Sequence, residues 1–156
     1  MPRVKALVKV SGDLLDRQEV IDWIGQLAGQ KDHFVVICVG GGTQINQAFT
    51  NAGFGVGAHG PLGRETKRFE ERQLARDVLE VNQREVQDKL ADNGIMVVVE
   101  IPVVYLGTVL CHVNGDIYIL TAYHGFEEIY VLTTKDRQEK KQQDFALYPK
   151  IKIVAF

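Results

Sequence analysis

The stretch VVICVGGGTQIN, residues 35–46, decides the fold of this chain. It passes from a continuous apolar run, Phe34 to Val39, through three glycines into a segment with apolar residues at helical spacing. Continuous runs of β-branched and aliphatic residues are typical of strands buried on both faces of a parallel sheet. The stretch therefore predicts a strand, a glycine loop and a helix over 43–50.

The residues before this stretch predict the same alternation of strand and helix. Val4 to Val10 form another nearly continuous apolar run, which predicts a second buried strand. Asp16 followed by Glu19 matches a capping box, and apolar residues then recur at helical spacing up to Gly29. A helix is expected between the two strands.

The residues after the stretch add a loop and a long polar segment. Residues 53–63 contain five glycines and one proline and predict a mobile loop. The segment 64–93 is rich in charge but carries apolar residues spaced for a buried stripe, and Gly94 is placed to end a helix. One long helix or two shorter helices are expected there.

The remaining third of the chain predicts further alternation. Strands are expected at 95–99, 103–105, 108–113, 129–132 and 151–156, with a short helix at 117–123 and a polar loop or helix at 135–143. Alternating strands and helices imply right-handed crossovers and a mostly parallel sheet covered on both faces. The chain is therefore predicted to be a single α/β domain over 1–156, a three-layer sandwich.

Composition excludes several classes of function. Hydrophobic residues make up 46% and charged residues 24% of the chain, and no apolar run is long enough for a membrane span. The net charge of -2 gives no basic field for nucleic acid. The start, MPRVKALVKV, has no signal-peptide pattern, so a cytoplasmic setting is expected. Cysteines and histidines lack metal-ligand spacing, so no metal held by the protein is expected.

Three strand ends combine residues that suit an anion. Ligands of an open parallel sheet bind beyond the carboxyl ends of its strands, where glycine amides and helix starts attract negative charge. Each end alone has an ordinary structural explanation: a solvated lysine, a flexible turn, or a hairpin or helix cap. Their joint occurrence in this order favours an anion site. The candidate residues are Lys9, Ser11 and Gly12; Gly40, Gly41 and Gly42; and Asn114 and Asp116.

These stretches resemble the amino acid kinase family, which includes acetylglutamate, aspartate, carbamate and bacterial uridylate kinases. The resemblance covers roughly residues 4–136, and its first two motifs are fairly specific. It implies a carbamate kinase-like fold. The motifs, in family order, are VKVSGDLL (8–15), VVICVGGGTQIN (35–46), VNQREV (81–86), IPVV (101–104), HVNGD (112–116) and IYVLTTKD (129–136).

The resemblance implies roles for individual residues in transferring a phosphoryl group from ATP with Mg²⁺. Lys9 would neutralise charge on that group and Asp116 would orient the lysine. Ser11, Gly12 and the three glycines Gly40, Gly41 and Gly42 would cradle the phosphate, together with Thr133 and Asp136. Arg64 would grip an acidic group of the substrate, helped by Asn114, since a guanidinium can bind a carboxylate with two hydrogen bonds. The alternative for Arg64 is an exposed residue at a helix start.

The chain also departs from the family pattern. The family continues into a nucleotide-binding lobe with a second catalytic lysine, and none of the lysines over 135–152 has that motif around it. Arg137 stands where the family commonly has glycine, and His112 stands where acetylglutamate kinases have a substrate-binding asparagine. On this basis weak turnover or none is expected of the isolated chain.

Three functions stay open from the sequence. The first is a minimal small-molecule phosphotransferase acting on carboxylate or phosphate acceptors and completed by a partner subunit. The second is a non-catalytic descendant that binds a nucleotide, phosphate or another oxyanion or regulates a relative. The third is an unrelated Rossmann-like module. A small anionic ligand and a homo-oligomer or partner subunit are the expected partners, the oligomer because a small domain has little to cover the apolar stripe of 64–93.

Overall fold

The computed structural model describes residues 3–156 and alternates strands with helices along its length. Five α-helices and nine strands are described. In chain order they are β1 (Val4–Val10), α1 (Gln18–Ala28), β2 (His33–Val39), α2 (Gly42–Asn51), β3 (His59–Gly60), β4 (Gly63–Arg64), α3 (Phe69–Asp92), β5 (Val98–Glu100), β6 (Val103–Leu106), β7 (Val109–His112), α4 (Gly115–Thr121), β8 (Glu128–Thr133), α5 (Gln138–Asp144) and β9 (Ile151–Ala155). Two of the strand pairs, β3 with β4 and β6 with β7, lie outside the main sheet.

The main sheet has five strands in the order β5-β2-β1-β8-β9, and every neighbouring pair is parallel. This confirms the predicted α/β class and parallel sheet. The chain first builds outward from β1 to β2 and β5, then returns to the other side of β1 with β8. Ligands of such sheets bind where the strand order reverses, outside the carboxyl ends. Here that place lies beyond Val10 at the end of β1.

Helices cover both faces of the sheet and give the molecule three layers. Side chains alternate along β1, so Ala6 and Val8 pack with α1 and α3, whereas Leu7 packs with α4 and α5. Strand β1 is hydrogen-bonded on both sides and its central residues are fully buried, which explains its nearly continuous apolar sequence.

The predicted capping box at the start of α1 is wrong. The helix begins at Gln18 after Arg17, and no side chain caps its first N–H groups. Asp16 instead pairs with Lys89 of α3, because a short helical turn over Gly12–Leu14 carries Asp16 away from the capping position. A tertiary ion pair thus replaces the local hydrogen bond that the sequence suggested.

The segment 64–93 forms one helix, α3, which begins at Phe69 and ends as predicted at Gly94, where φ is +70°. Its stripe is buried against the sheet and α2 through Leu79, Val86 and Leu90. Neither α3 nor any other helix within residues 3–156 combines the length and apolar character that crossing a membrane requires.

The strands predicted at 103–105 and 108–113 are present but lie outside the main sheet. They form an antiparallel hairpin, β6 with β7, whose turn contains Gly107 at φ +62°. Within the glycine-rich loop 53–63, the short strand β3 pairs with β4, placing His59 opposite Arg64. Both hairpins stand at the same end of the sheet as the candidate residues.

Candidate functional site

A cleft of about 210 Å³ opens beyond the carboxyl ends of β1 and β2. Gly40 N–H donates to the Val10 carbonyl across 2.9 Å, which joins the two strand ends directly. The predicted juxtaposition of these loops is confirmed. The candidate residues that line the cleft are Lys9, Ser11, Gly12, Gly40, Gly41, Gly42, Arg64, Asn114 and Asp116.

Two candidates lie outside the cleft. Thr133 ends β8 and is 1% exposed, within the sheet rather than at the cleft wall. Asp136 lies on the exposed turn Lys135–Arg137 that follows β8. The structure therefore gives neither residue a contact surface in this cleft.

A carboxylate between two ammonium groups forms the inner part of the cleft. Lys9 Nζ lies 3.2 Å from Asp116 Oδ1, and Lys141 Nζ pairs with Asp116 Oδ2. Gly115 lets Lys9 pass beneath the start of α4, since a Cβ at that glycine would lie 3.1 Å from Lys9 Cε. Asn114 caps α4 by accepting a hydrogen bond from the Asp116 N–H at 2.8 Å, which fixes where the carboxylate begins.

Asp116 stays ionised in this position. Its burial opposes ionisation, but the charges of Lys9 and Lys141 and their hydrogen bonds outweigh burial and lower its pKa. The carboxylate therefore holds two cations side by side that would otherwise repel each other. Lys9 is 12% and Lys141 17% exposed, so both are partly shielded from water and would interact strongly with an anion that entered the cleft.

Lys141 is a residue that the sequence analysis missed. The sequence has no family motif around any lysine over 135–152, yet α5 brings Lys141 to Asp116. Lys141 lies in the polar segment QEKKQQD, which has no motif and no apolar stripe to indicate the face that meets the sheet. Only the packing of α5 after β8 places this side chain.

Side-chain amides brace the glycine loop from behind. Asn82 Nδ2 donates to the Gly40 carbonyl at 3.0 Å, and Gln44 Nε2 donates to the Gly12 carbonyl at 2.9 Å. A Cβ at Gly41 would lie 2.8 Å from Asn82 Nδ2, so this position accepts glycine alone without displacing its neighbours. The loop leads into α2, whose first N–H groups have no intrahelical acceptor and carry the positive end of the helix.

Arg64 is a buried cation without an acidic partner. It is 9% exposed and lies in β4, so the alternative of an exposed helix-start residue is wrong. Its guanidinium donates to the Val56 carbonyl and to Asn46 Oδ1, both neutral oxygens, and stacks 5.3 Å from the Phe49 ring centroid. A buried charge with neutral partners alone is costly, and an anionic group of a ligand would offset that cost.

His112 lines the cleft as a neutral imidazole. Burial, followed by the nearby charges of Arg64 and His59, lowers its pKa to about 4. Its Nδ1 atom is buried and has no hydrogen-bond partner within residues 3–156. At neutral pH the end of the cleft near Arg64 therefore combines the arginine cation with the uncharged ring of His112, which can accept or donate a hydrogen bond.

Two polar contacts of Asp13 connect neighbouring elements at the rim of the cleft. Arg137 Nη1 lies 3.0 Å from Asp13 Oδ2, and Thr43 Oγ1 donates to Asp13 Oδ1 at 2.7 Å. These two contacts link the turn after β1, the start of α2 and the turn after β8. Arg137 also lines the cleft, so it adds a cation at the rim.

The donor set of the cleft suits an anion better than a metal ion. Asp116 is the one carboxylate among its lining residues, and two lysines already engage it. Within residues 3–156 there is no group of three or more His, Cys, Asp or Glu side chains arranged to bind a metal.

Compared with known proteins, the chain matches no protein-family model and no curated protein. The chemistry of the cleft therefore rests on its own geometry.

Proposed function

We propose that the cleft binds a phosphoryl group and that the chain is an amino acid kinase-like phosphotransferase acting on small carboxylate or phosphate acceptors. One observation carries the proposal: Asp116 holds Lys9 and Lys141 together beside a glycine loop and a helix start. Cations and N–H groups then face the same small volume, which is the arrangement that a phosphate oxyanion requires.

This arrangement suits phosphoryl transfer because that reaction requires little covalent chemistry from the protein itself. The reaction depends on positioning and on stabilising negative charge on the phosphoryl oxygens. Lys9 and Lys141 would each neutralise such an oxygen, and Asp116 would keep both ammonium groups oriented. Losing one preorganised contact of this kind typically costs about a hundredfold in rate.

The acceptor would lie towards Arg64. Its guanidinium is buried, has only neutral oxygen partners and faces the cleft, so a carboxylate or phosphate would complete its interactions. Asn114 lines the cleft too, but its Oδ1 caps α4. We therefore give Asn114 the role of positioning Asp116 rather than that of binding substrate.

We propose that the phosphate chain of ATP binds in the cleft. Lys9, Lys141, Arg137 and the glycine loop would hold the phosphates, and ATP would supply the phosphoryl group that is transferred. Magnesium would be bound through the phosphates, because the single cleft carboxylate is already paired with two lysines.

A second candidate, a non-catalytic oxyanion-binding or regulatory protein, is favoured by the size of the cleft. Its volume of about 210 Å³ lies below the roughly 300–1,000 Å³ that is usual for organic ligands. Such a space suits an inorganic anion. The two candidates share the phosphate site and differ in turnover.

Binding of orthophosphate, followed by calorimetry, tests the shared site. We expect Lys9→Ala and Lys141→Ala each to weaken binding at least about tenfold, since charge-assisted hydrogen bonds contribute about 1.5–3 kcal/mol. Lys5→Ala on the same strand and Lys140→Ala on the same helix are matched controls, because neither residue lines the cleft. Equal binding by all four variants would refute the proposal.

Turnover separates the two candidates. Phosphate release or transfer from Mg-ATP would be measured with carboxylate and phosphate acceptors. Transfer that Lys9→Ala abolishes supports the phosphotransferase, whereas phosphate binding without transfer supports the oxyanion-binding protein. A homo-oligomer or partner subunit stays a prediction, although Leu79, Val86 and Leu90 of the α3 stripe that suggested it are buried within the chain; Phe69, at the start of the stripe, is 49% exposed.

A further inference from the structure

The residues lining the cleft carry an excess of positive charge. Four cationic side chains and one carboxylate line the cleft, which leaves a net charge of +3 when both histidines are neutral, or +2 once Asp13, which pairs with Arg137 from outside the lining, is counted. The cations are Lys9, Arg64, Arg137 and Lys141, and the carboxylate is Asp116. One orthophosphate would neutralise only part of this excess, so the cleft is suited to an anion of higher charge.

The cations occupy two separate positions around the glycine loop. Lys9 and Lys141 meet at Asp116, in the inner part of the cleft. Arg137 lies at the rim, held by Asp13, which Thr43 in turn fixes from the start of α2. A guanidinium has five N–H donors, so its pairing with one oxygen of Asp13 leaves donors for a phosphate.

The described walls of the cleft offer no Phe, Tyr or Trp ring for a nucleobase to stack on. The apolar side chains of the cleft are aliphatic or proline, and its aromatic rings are two imidazoles. Bases in protein sites are commonly stacked on Phe, Tyr or Trp, and none of these lines the cleft. The apolar lining residues are Ile45, Leu79, Pro102 and Val113, and the imidazoles are those of His59 and His112.

We propose that the phosphoryl donor is an inorganic phosphoanhydride, pyrophosphate or a longer polyphosphate, recognised by its phosphates alone. This rests on the proposed phosphoryl-binding function and changes the identity of the donor. Lys9 and Lys141 bind the phosphoryl group that is transferred, and Arg137 binds the phosphate next to it.

The transfer step balances without a further reactant. An oxygen of the carboxylate or phosphate acceptor forms a bond to the terminal phosphorus of the donor. The bond from that phosphorus to the bridging oxygen breaks, and its electron pair stays on the bridging oxygen. With pyrophosphate as the donor, the leaving group is orthophosphate, whose developing charge Arg137 stabilises at the rim.

Calorimetry with four anions, each with and without Mg²⁺, tests the inference: orthophosphate, pyrophosphate, tripolyphosphate and ATP. Tripolyphosphate and ATP carry the same phosphate chain, with and without a nucleoside. We expect pyrophosphate to bind at least about tenfold more tightly than orthophosphate, and ATP to bind no more tightly than tripolyphosphate.

Arg137→Gln tests the rim. It should weaken pyrophosphate binding about tenfold while changing orthophosphate binding less than about threefold. Arg84→Gln, an exposed arginine on α3, is the matched control and should change neither. If Arg137→Gln fails to fold, Arg137→Lys keeps the charge but loses the two-pronged hydrogen bonding, and it should show a smaller loss for pyrophosphate alone.

ATP binding about tenfold more tightly than tripolyphosphate would overturn the inference, because the nucleoside would then be recognised. Pyrophosphate binding no better than orthophosphate would also overturn it. In either case, orthophosphate binding that Lys9→Ala abolishes would leave the proposed function standing. Binding of none of the anions would remove both.

Discussion

Asp116 of α4 forms an ion pair with Lys141 of α5. The same carboxylate pairs with Lys9 of β1, so it links three elements. Replacing Asp116 by Asn keeps the shape of the side chain but leaves the Lys9 ammonium without its acid and Lys141 with only the more exposed Asp144. We expect the free energy of unfolding to fall by about 2–3 kcal/mol, somewhat below the cost of breaking a fully buried pair. Urea denaturation at neutral pH measures this change.

The matched control is Asp144→Asn on the same helix as Lys141. Asp144 Oδ2 lies 4.0 Å from Lys141 Nζ and its side chain is 43% exposed, so its loss should cost less than about 0.5 kcal/mol. Equal destabilisation by the two variants would show that Asp116 does not hold the lysines together.

His112 should make the protein less stable as pH falls from 6.5 to 4. Burial, with Arg64 and His59, lowers the pKa of folded His112 to about 4, whereas the unfolded imidazole takes a proton near pH 6.5. The unfolded state therefore binds more protons across this range, and the loss reaches about 3 kcal/mol near pH 4. Thermal denaturation as a function of pH measures it.

Two variants identify the residue responsible for that loss. His112→Asn should remove most of the dependence between pH 6.5 and 4, whereas the exposed His124→Asn should preserve it. Protonation of Asp116 belongs to a lower pH, since the two lysines outweigh its burial and lower its pKa. A pH profile that His112→Asn leaves unchanged would contradict the assignment.

Gly41→Ala should disrupt the glycine loop, whereas Gly42→Ala should be tolerated. A Cβ at Gly41 would lie 2.8 Å from Asn82 Nδ2 and 3.0 Å from Leu79 Cδ2, while none of the described atoms lies within 4 Å of a Cβ at Gly42. Overpacking of this kind costs about 1–3 kcal/mol. Melting temperatures and phosphate affinities of the two variants provide the comparison, and similar losses in both would rule out the steric explanation.

The variant Asn82→Ala should weaken phosphate binding, although Asn82 does not itself contact the ligand. Asn82 is 4% exposed and supplies the hydrogen bond to the Gly40 carbonyl, so its removal leaves a buried acceptor unpaired at a cost of about 1–3 kcal/mol. We expect lower stability together with weaker orthophosphate binding. Arg84→Ala, exposed on the same helix, should alter neither quantity. Unchanged phosphate affinity in Asn82→Ala would show that the loop holds its shape without this brace.

The parts of the fold that were predictable have strong local sequence patterns. The apolar runs of β1 and β2 are typical of buried strands, and Gly40–Gly42 then follow β2 at the edge where parallel strands end. Strand order brings Lys9 of β1 and the glycines after β2 to the same edge of the sheet, whereas Asp116 follows β7, which lies outside the main sheet, and reaches the cleft through tertiary packing. The location of the cleft could therefore be predicted.

The parts that were not predictable depend on tertiary packing. Lys141 belongs to a helix without an apolar stripe, so no periodicity indicates which of its faces meets the sheet. Asp16 was expected to cap α1, but Lys89 of a distant helix binds it instead. The strands β6 and β7 pair with each other outside the main sheet because of the tight turn at Gly107. The apolar pattern of a strand does not show whether that strand joins the main sheet or a separate hairpin.

The position of β1 between β2 and β8 has a kinetic consequence. Lys9 stands on a strand that opens only when the whole sheet opens, whereas Lys141 stands on the seven-residue helix Gln138–Asp144, which has no fully buried residue. Short helices without fully buried residues open locally at a much lower free energy than central strands. Hydrogen exchange should therefore be slowest around Lys9 and fast around Lys141. A bound anion would then leave when α5 lifts away, so the residence time of the ligand would be set by the fraying of one short helix.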